Sequence, residues 1–371
     1  MLNQQRGRMM AVSTIYEQLH ARVNEYSVGM NSTGTGKEMK ILERLFTEEE
    51  AALYLHMTRS LESPATIAVR SGLDIDKTKA LLEGMTDKGI TFPFTVDGVR
   101  YYAAAPFMHG FFEQQMIRKE KDPELALLME DYITDGFRSQ TITMRTVPVG
   151  INLTPRDQIL SYDNVKEIIL GKETIAVSPC FCRDHMLSAG KGGECHKPHD
   201  MCIAFDFYAR CMVEEFKMAR YISREEALQL LDEAETAGLV HQTAGNAEST
   251  EVICNCCPDC CAGLRMLKHH PAPAKAYPSN YYCRHEDELC IHCLLCMERC
   301  PMDAIIDTGD HSQVQPERCI GCGLCVTACP TDAARLFTKE KVKTPPAVST
   351  FLRPSTEIFL DLQGEIARTR E

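Results

Sequence analysis

The sequence predicts an α+β chain made of three units, and three observations carry that prediction. The first hundred residues combine helical apolar spacing with an Asp97-Gly98 hairpin signal; a middle zone of strands and helices holds ten cysteines between Cys180 and Cys261; and two near-identical four-cysteine runs stand near the end. At 371 residues and 44% hydrophobic content, the chain has enough apolar material for an ordinary packed core in each unit.

Residues 1–37 are expected to form a helix and a linker. Val12, Ile15, Tyr16, Leu19 and Val23 recur at helical spacing between residue 9 and about residue 26, which marks an amphipathic helix. The tract from Gly29 to Lys37 is rich in Gly, Ser and Thr. Its Gly36-Lys37 is not a phosphate loop, because that motif needs glycine where Asn31 stands and Ser or Thr where Glu38 stands.

Residues 38–140 are expected to form a second unit. Thr47 and Glu50 make a capping-box signal for a helix to about Met57, a second helix spans Ser63 to Arg70, and Ser71-Gly72 turns the chain. A third helix is predicted over residues 76–88, followed by strands over residues 90–96 and 99–102 joined by Asp97-Gly98. This order resembles a winged helix, a resemblance that implies DNA binding through the third helix. Charge argues otherwise: Lys77, Lys79 and Lys88 are matched by Asp76, Glu83 and Asp87, whereas a DNA reader needs uncompensated cations. The unit is therefore expected to dock protein or to serve as architecture. Residues 108–175 read as helices with irregular connections and show no chemistry.

The middle unit, residues 141–265, is expected to bind metal. A short strand near Thr174–Val177 leads to Cys180-Phe-Cys182-Arg183, then to Cys195-His196-Lys-Pro-His199 and Cys202. In an extended segment residues two apart face one way, so Cys180 and Cys182 can present a thiolate pair. After a helix capped by Ser223 and Glu226, the block Cys254-Asn-Cys256-Cys257-Pro-Asp-Cys260-Cys261 places five thiols in eight residues. Pro258-Asp259 supplies a turn within it. The preferred grouping is one iron-sulfur cluster on Cys180, Cys182, Cys195 and Cys202 and a second on the Cys254–Cys261 block. Two alternatives stay open: a cluster shared between the blocks, and zinc, held by Cys195, His196, His199 and Cys202 or at the zinc-like spacing Cys257-Pro-Asp-Cys260. Arg183 would offset cluster charge; Cys211 and Cys283 stand alone and are read as non-ligands.

Residues 279–340 form the third unit, followed by a tail over residues 341–371. The runs are Cys290-Ile-His-Cys293-Leu-Leu-Cys296-Met-Glu-Arg-Cys300-Pro301 and Cys319-Ile-Gly-Cys322-Gly-Leu-Cys325-Val-Thr-Ala-Cys329-Pro330. Their spacing resembles the two-cluster bacterial ferredoxin module, in which three thiolates of each run hold one cubane and the fourth serves the other. That resemblance implies one 4Fe-4S cluster on Cys290, Cys293, Cys296 and Cys329 and another on Cys319, Cys322, Cys325 and Cys300. Gly321 and Gly323 let backbone amides approach the second cluster, whereas His292 and Leu294 occupy the equivalent places in the first. An imidazole there would raise the first cluster's potential and make it pH-dependent.

The whole arrangement resembles a group of iron-sulfur proteins from strictly anaerobic bacteria and archaea, which implies an accessory role in anaerobic electron flow. With 52 acidic and 40 basic residues the net charge is −12, and no basic block would follow a phosphate backbone, so nucleic acid is not the expected partner. No apolar run is long enough for a membrane span and no secretory layout is visible, so a cytoplasmic protein is expected. No G-x-G-x-x-G follows a predicted strand. The expectation is an electron-transfer subunit of an anaerobic oxidoreductase, serving a flavin- or molybdenum/tungsten-containing partner. A reductase with a substrate-binding cluster in the middle unit and a redox-sensing DNA-binding regulator are the alternatives.

Overall fold

Thr14 and Glu17 each satisfy the other's backbone N–H at the start of helix α1 (Ile15–Asn24), which buries Leu19 and Val23. The computed structural model describes residues 14–25, 30–115, 118, 121–136, 144–148, 164–191, 195–244, 250–277 and 279–340. The expected first turn over residues 9–13 and the tail from 341 onward lie outside them. Where a linker was expected, Gly36 in the left-handed region (φ 73°) opens α2 (Lys37–Leu45). Lys37 pairs with Asp135 at 2.7 Å, so the Gly-Lys dipeptide serves a helix start and a tertiary contact.

Next come α3 (Glu48–Leu55), α4 (Pro64–Ser71), α5 (Ile75–Asp87), β1 (Thr91–Val96) and β2 (Val99–Ala104). Thr47 and Glu50 complete their capping box, a feature worth about 1 kcal/mol. Asp97 and Gly98 take φ of 49° and 78°, the two positive values that a two-residue hairpin loop requires. A bridge from Glu62 to Tyr102 sets a short extended segment beside β2. On α5, Lys77 pairs with Glu49 at 2.7 Å, and just past its end Lys88 pairs with Glu50 at 2.6 Å.

The hairpin packs inward. Phe94 stacks on Phe207 with ring centroids 4.8 Å apart, Phe92 sits 5.7 Å from Phe216, and the Thr95 N–H donates to Glu215 at 2.7 Å. A buried phenylalanine contributes about 1.5–3 kcal/mol, so these two side chains alone seal the hairpin to the middle of the molecule.

A π-turn (Phe107–Phe111) and the short α6 (Phe112–Gln114) lead to α7 (Pro123–Gly136), whose Leu125, Met129 and Tyr132 join the amino-terminal core. The middle unit is built on a six-stranded antiparallel sheet whose order is Met144–Thr146, Val240–Ala244, Val252–Cys256, Cys202–Phe205, Ile175–Ser178 and Arg220–Tyr221. In chain order its elements are β3 (Met144–Thr146), α8 (Val165–Leu170), β4 (Ile175–Ser178), α9 (Phe181–Ser188), β5 (Cys202–Phe205), α10 (Asp206–Arg210), β6 (Arg220–Tyr221), α11 (Arg224–Thr236), β7 (Val240–Ala244) and β8 (Val252–Cys256). Helix α12 (Ala262–His269) runs across the boundary expected at residue 265, and its Leu264 and Leu267 share a core with the last unit.

That unit contains α13 (Pro273–Ala276), β9 (Tyr281–His285), α14 (Leu295–Arg299), β10 (Ile305–Asp307), β11 (Ser312–Val314), α15 (Leu324–Thr327) and β12 (Ala334–Thr338). Strand β9 pairs with β12 and β10 with β11. Arg299 fastens the unit to the middle one by donating to the Glu235 and Thr236 carbonyls at the end of α11, where the helix dipole favours a cation. No helix among the described residues is long and apolar enough to cross a membrane.

Candidate metal centres

All nineteen cysteines are free thiols. In the last unit Cys290, Cys293, Cys296 and Cys329 line one cavity, and Cys300, Cys319, Cys322 and Cys325 line another. Each cavity thus collects three thiols of one run and the fourth of the other. The exchange is possible because α14 and α15 carry the third thiol of each run and pack against each other, while the fourth crosses to the neighbour. Backbone amides point at the sulfurs: Cys283 N–H lies 3.3 Å from Cys319 Sγ, Ala304 N–H 3.2 Å from Cys300 Sγ and Ala334 N–H 3.4 Å from Cys329 Sγ.

Electrostatics tests whether these cavities suit a metal group. Burial pushes the Cys300 and Cys319 thiols up to about 11, so four such groups ionise together only around a compensating cation. The first cavity holds a second indication. Both ring nitrogens of His285 are buried there without a hydrogen-bond partner. A buried imidazole N–H of this kind costs free energy unless something in the cavity accepts from it. An iron-sulfur cluster supplies such acceptors, and the donor set fits it.

The histidine singled out by sequence is a different one. His292 lies outside the cavity lining, with Nε2 2.7 Å from Asp307 Oδ1 at the surface, so the imidazole facing the first cavity is His285. The asymmetry of the runs is instead one of backbone: His292 (φ 53°) and Leu294 (φ 62°) stand in the left-handed positions that Gly321 (φ 67°) and Gly323 (φ 82°) hold in the second run. Cys283, read from sequence as isolated, has its place on the wall of the second cavity. Cys211 is buried in a hydrophobic core.

In the middle unit the nine clustered cysteines separate into two groups that differ from the preferred sequence grouping. Cys195, Cys257 and Cys260 have sulfurs all within 4.8 Å of one another, with Cys195 3.6 Å from Cys257. Cys182 and Cys256 each interact with Cys261, Cys254 interacts with Cys256 and Cys202, and Cys180 interacts with Cys254 and Cys261. Both groups therefore draw on both sequence blocks. Strand β8 ends at Cys256 and α12 starts after Cys261; the turn between them sends the inner pair, Cys257 and Cys260, one way and the outer pair, Cys256 and Cys261, the other.

Two local expectations need correction. Cys180 and Cys182 do not lie on an extended segment: Cys180 is the N-cap of α9 and Cys182 lies in its first turn, because Phe181 already takes up the helix. The zinc set Cys195, His196, His199 and Cys202 does not assemble, since His199 pairs with Asp184 at 2.6 Å and Cys202 faces Cys254 across β5 and β8.

In each group one thiol is pushed down by its neighbours. Hydrogen bonds from Cys260 first, with others from Cys195 and Arg183, bring Cys257 down to about 5 despite burial. Cys182 and Cys256 do the same for Cys261. An arginine accompanies each: Arg183, 4% exposed, reaches Cys257 Sγ at 4.0 Å, and Arg265 interacts with Cys182 and Cys261. Arg265 is in turn gripped by Glu130 of α7, whose side chain is 2% exposed, with Nη2–Oε2 at 2.8 Å and His185 3.5 Å from the same carboxylate. No local signal announces this triad, since nothing in α7 marks Glu130 apart from other surface-type residues until the fold brings three elements together.

Residues 282–330 match the family model of the 4Fe-4S dicluster domain. No curated protein and no solved structure matches the chain. The carboxy-terminal region is thus a ferredoxin-like module that binds iron-sulfur cofactors, within an α+β chain.

Proposed function

We propose that the chain is the iron-sulfur electron-transfer subunit of a cytoplasmic oxidoreductase, relaying single electrons between a soluble or flavoprotein donor and a catalytic partner containing flavin, molybdenum or tungsten. One observation carries the reading: Cys256 and Cys261 of the middle unit share a continuous apolar core with Cys296, Cys319, Cys322 and Cys325. Loaded with 4Fe-4S clusters, the two terminal cages and the Cys180/Cys182/Cys256/Cys261 group supply one-electron stores. The protein's own part is to exclude water with that core, aim amides at sulfur and set the stores at unequal potentials. The first unit we read as winged-helix-like and architectural, a reading supported by its inward-packed hairpin and its paired lysines.

Exposure supports a direction for the relay. Cys319, Cys322 and Cys325 are buried against the middle unit, whereas Cys293 is exposed. Flanking Cys293 in the chain, Leu289, Ile291 and Leu295 are 38%, 62% and 43% exposed, with Asp307 paired to His292 and Asp287 to His311. An apolar centre with an acidic rim fits a partner of basic rim. With a basic c-type cytochrome as acceptor, electron transfer from the reduced chain will slow as salt rises, and Ile291→Lys will slow it about tenfold, equivalent to about 1.4 kcal/mol. Salt-independent transfer, unchanged by Ile291→Lys, would place the exit elsewhere.

His285→Phe will shift the midpoint of the first cluster to more negative potential, because removing donors disfavours the more negative reduced state. A redox titration followed by electron paramagnetic resonance reads this directly. An unmoved midpoint would leave the His285 nitrogens without a part in tuning.

A further inference from the structure

The geometry points to a mononuclear zinc-type site formed by Cys195, Cys257 and Cys260, separate from every iron-sulfur cage in the chain. A single zinc ion binds thiolates at about 2.3 Å in a tetrahedron, which sets its sulfurs about 3.8 Å apart. The three sulfurs lie within 4.8 Å of one another, and Cys195 and Cys257 are 3.6 Å apart. Among the described residues this is the one set of three Cys, His, Asp or Glu ligands mutually this close, whereas the Cys180/Cys182/Cys256/Cys261 sulfurs meet only in pairs, and a cubane places a different iron behind each thiolate. The trio therefore has the spacing of one ion.

Charge and connectivity agree with that assignment. A divalent ion with three thiolates carries one net negative charge, and the buried Arg183 guanidinium beside Cys257 offsets it. Arg183 is itself fixed, donating to the carbonyls of Lys197 (2.6 Å) and Pro198 in the segment that follows Cys195. Among the described residues no fourth Cys, His, Asp or Glu joins the trio.

The ion would tie the segment 195–200 to the turn between β8 and α12. That segment positions the neighbouring group, because Cys180 N–H donates to the His199 carbonyl at 2.9 Å where α9 begins. The alternating order of Cys256, Cys257, Cys260 and Cys261 thus sorts two metals: the inner pair with Cys195 takes zinc, and the outer pair with Cys180 and Cys182 takes the iron-sulfur cluster.

The test uses the full chain, purified without oxygen from medium containing both metals. Elemental analysis should find about one zinc per chain, and zinc-edge X-ray absorption should show sulfur neighbours at about 2.3 Å. Cys195→Ser combined with Cys260→Ser should lower zinc at least tenfold and leave iron unchanged. Cys180→Ser combined with Cys182→Ser should do the reverse, removing about four irons and keeping the zinc. Loss of iron instead of zinc from the Cys195/Cys260 variant would make the trio part of a cluster and overturn the proposal. Should that variant fail to fold, the absorption spectrum of the unaltered chain decides alone: no zinc, or zinc with only oxygen and nitrogen neighbours, overturns it.

Discussion

Gly321→Ala will destroy the cage formed by Cys300, Cys319, Cys322 and Cys325 and remove about four irons while sparing the first cage. A Cβ at this position would stand 2.3 Å from the Tyr281 carbonyl oxygen and 2.6 Å from Ser279 Oγ, and the backbone φ is 67°. The left-handed conformation alone costs an L-residue about 1–2 kcal/mol, and here the clash is with the backbone of β9, which is held by its pairing with β12. The first run provides the control. Leu294 already bears a side chain at φ 62°, so Leu294→Gly should relieve strain and stabilise by about 1 kcal/mol with iron retained. Full iron content in Gly321→Ala, measured beside the unaltered chain, would show that β9 yields and that the close approach is not required.

The second large effect lies away from the thiols. Glu130→Ala will cost about 3–5 kcal/mol, because it leaves the Arg265 guanidinium and His185 without their shared carboxylate in a buried setting. Burial by itself would raise the Glu130 carboxyl; hydrogen bonds from His185 and Arg265 more than offset this and hold it at about 2, below an ordinary 4.5. A carboxyl depressed in the folded state contributes stability that is complete above about 4.5 and is lost as pH falls toward 2. Denaturant midpoints of the chain and of Glu130→Gln should therefore diverge at neutral pH and converge in acid across that window. A constant gap down to pH 2 would remove the ion pair from the account.

Much of this organisation was legible in the chain because short-range physics governs it. Thr47, Ser63 and Asp97-Gly98 announce their elements through caps and turn chemistry that act within a few residues. The spacing within each terminal run is short-range as well, since each run places three of its thiols within one turn and a short helix. The middle unit was harder. Sequence distance grouped Cys195 with Cys180 and Cys182, but the antiparallel order β7-β8-β5-β4 brings the Cys254–Cys261 block back alongside, and contacts across the sheet override proximity along the chain. His285 was passed over in favour of His292 because its position on β9, opposite Ala334, gives it the cavity only after β9 and β12 pair. Nothing local marks Glu130, whose partners come from α9 and α12.

Iron and acid-labile sulfide, assayed together on the full chain purified without oxygen, test the central claim most directly. Two terminal cubanes and one further cluster in the middle unit predict about twelve of each per chain, with about eight as the contribution of residues 282–330. Stoichiometric zinc at all the thiol groups, with no sulfide, would contradict the account and leave the cysteines as structural knots.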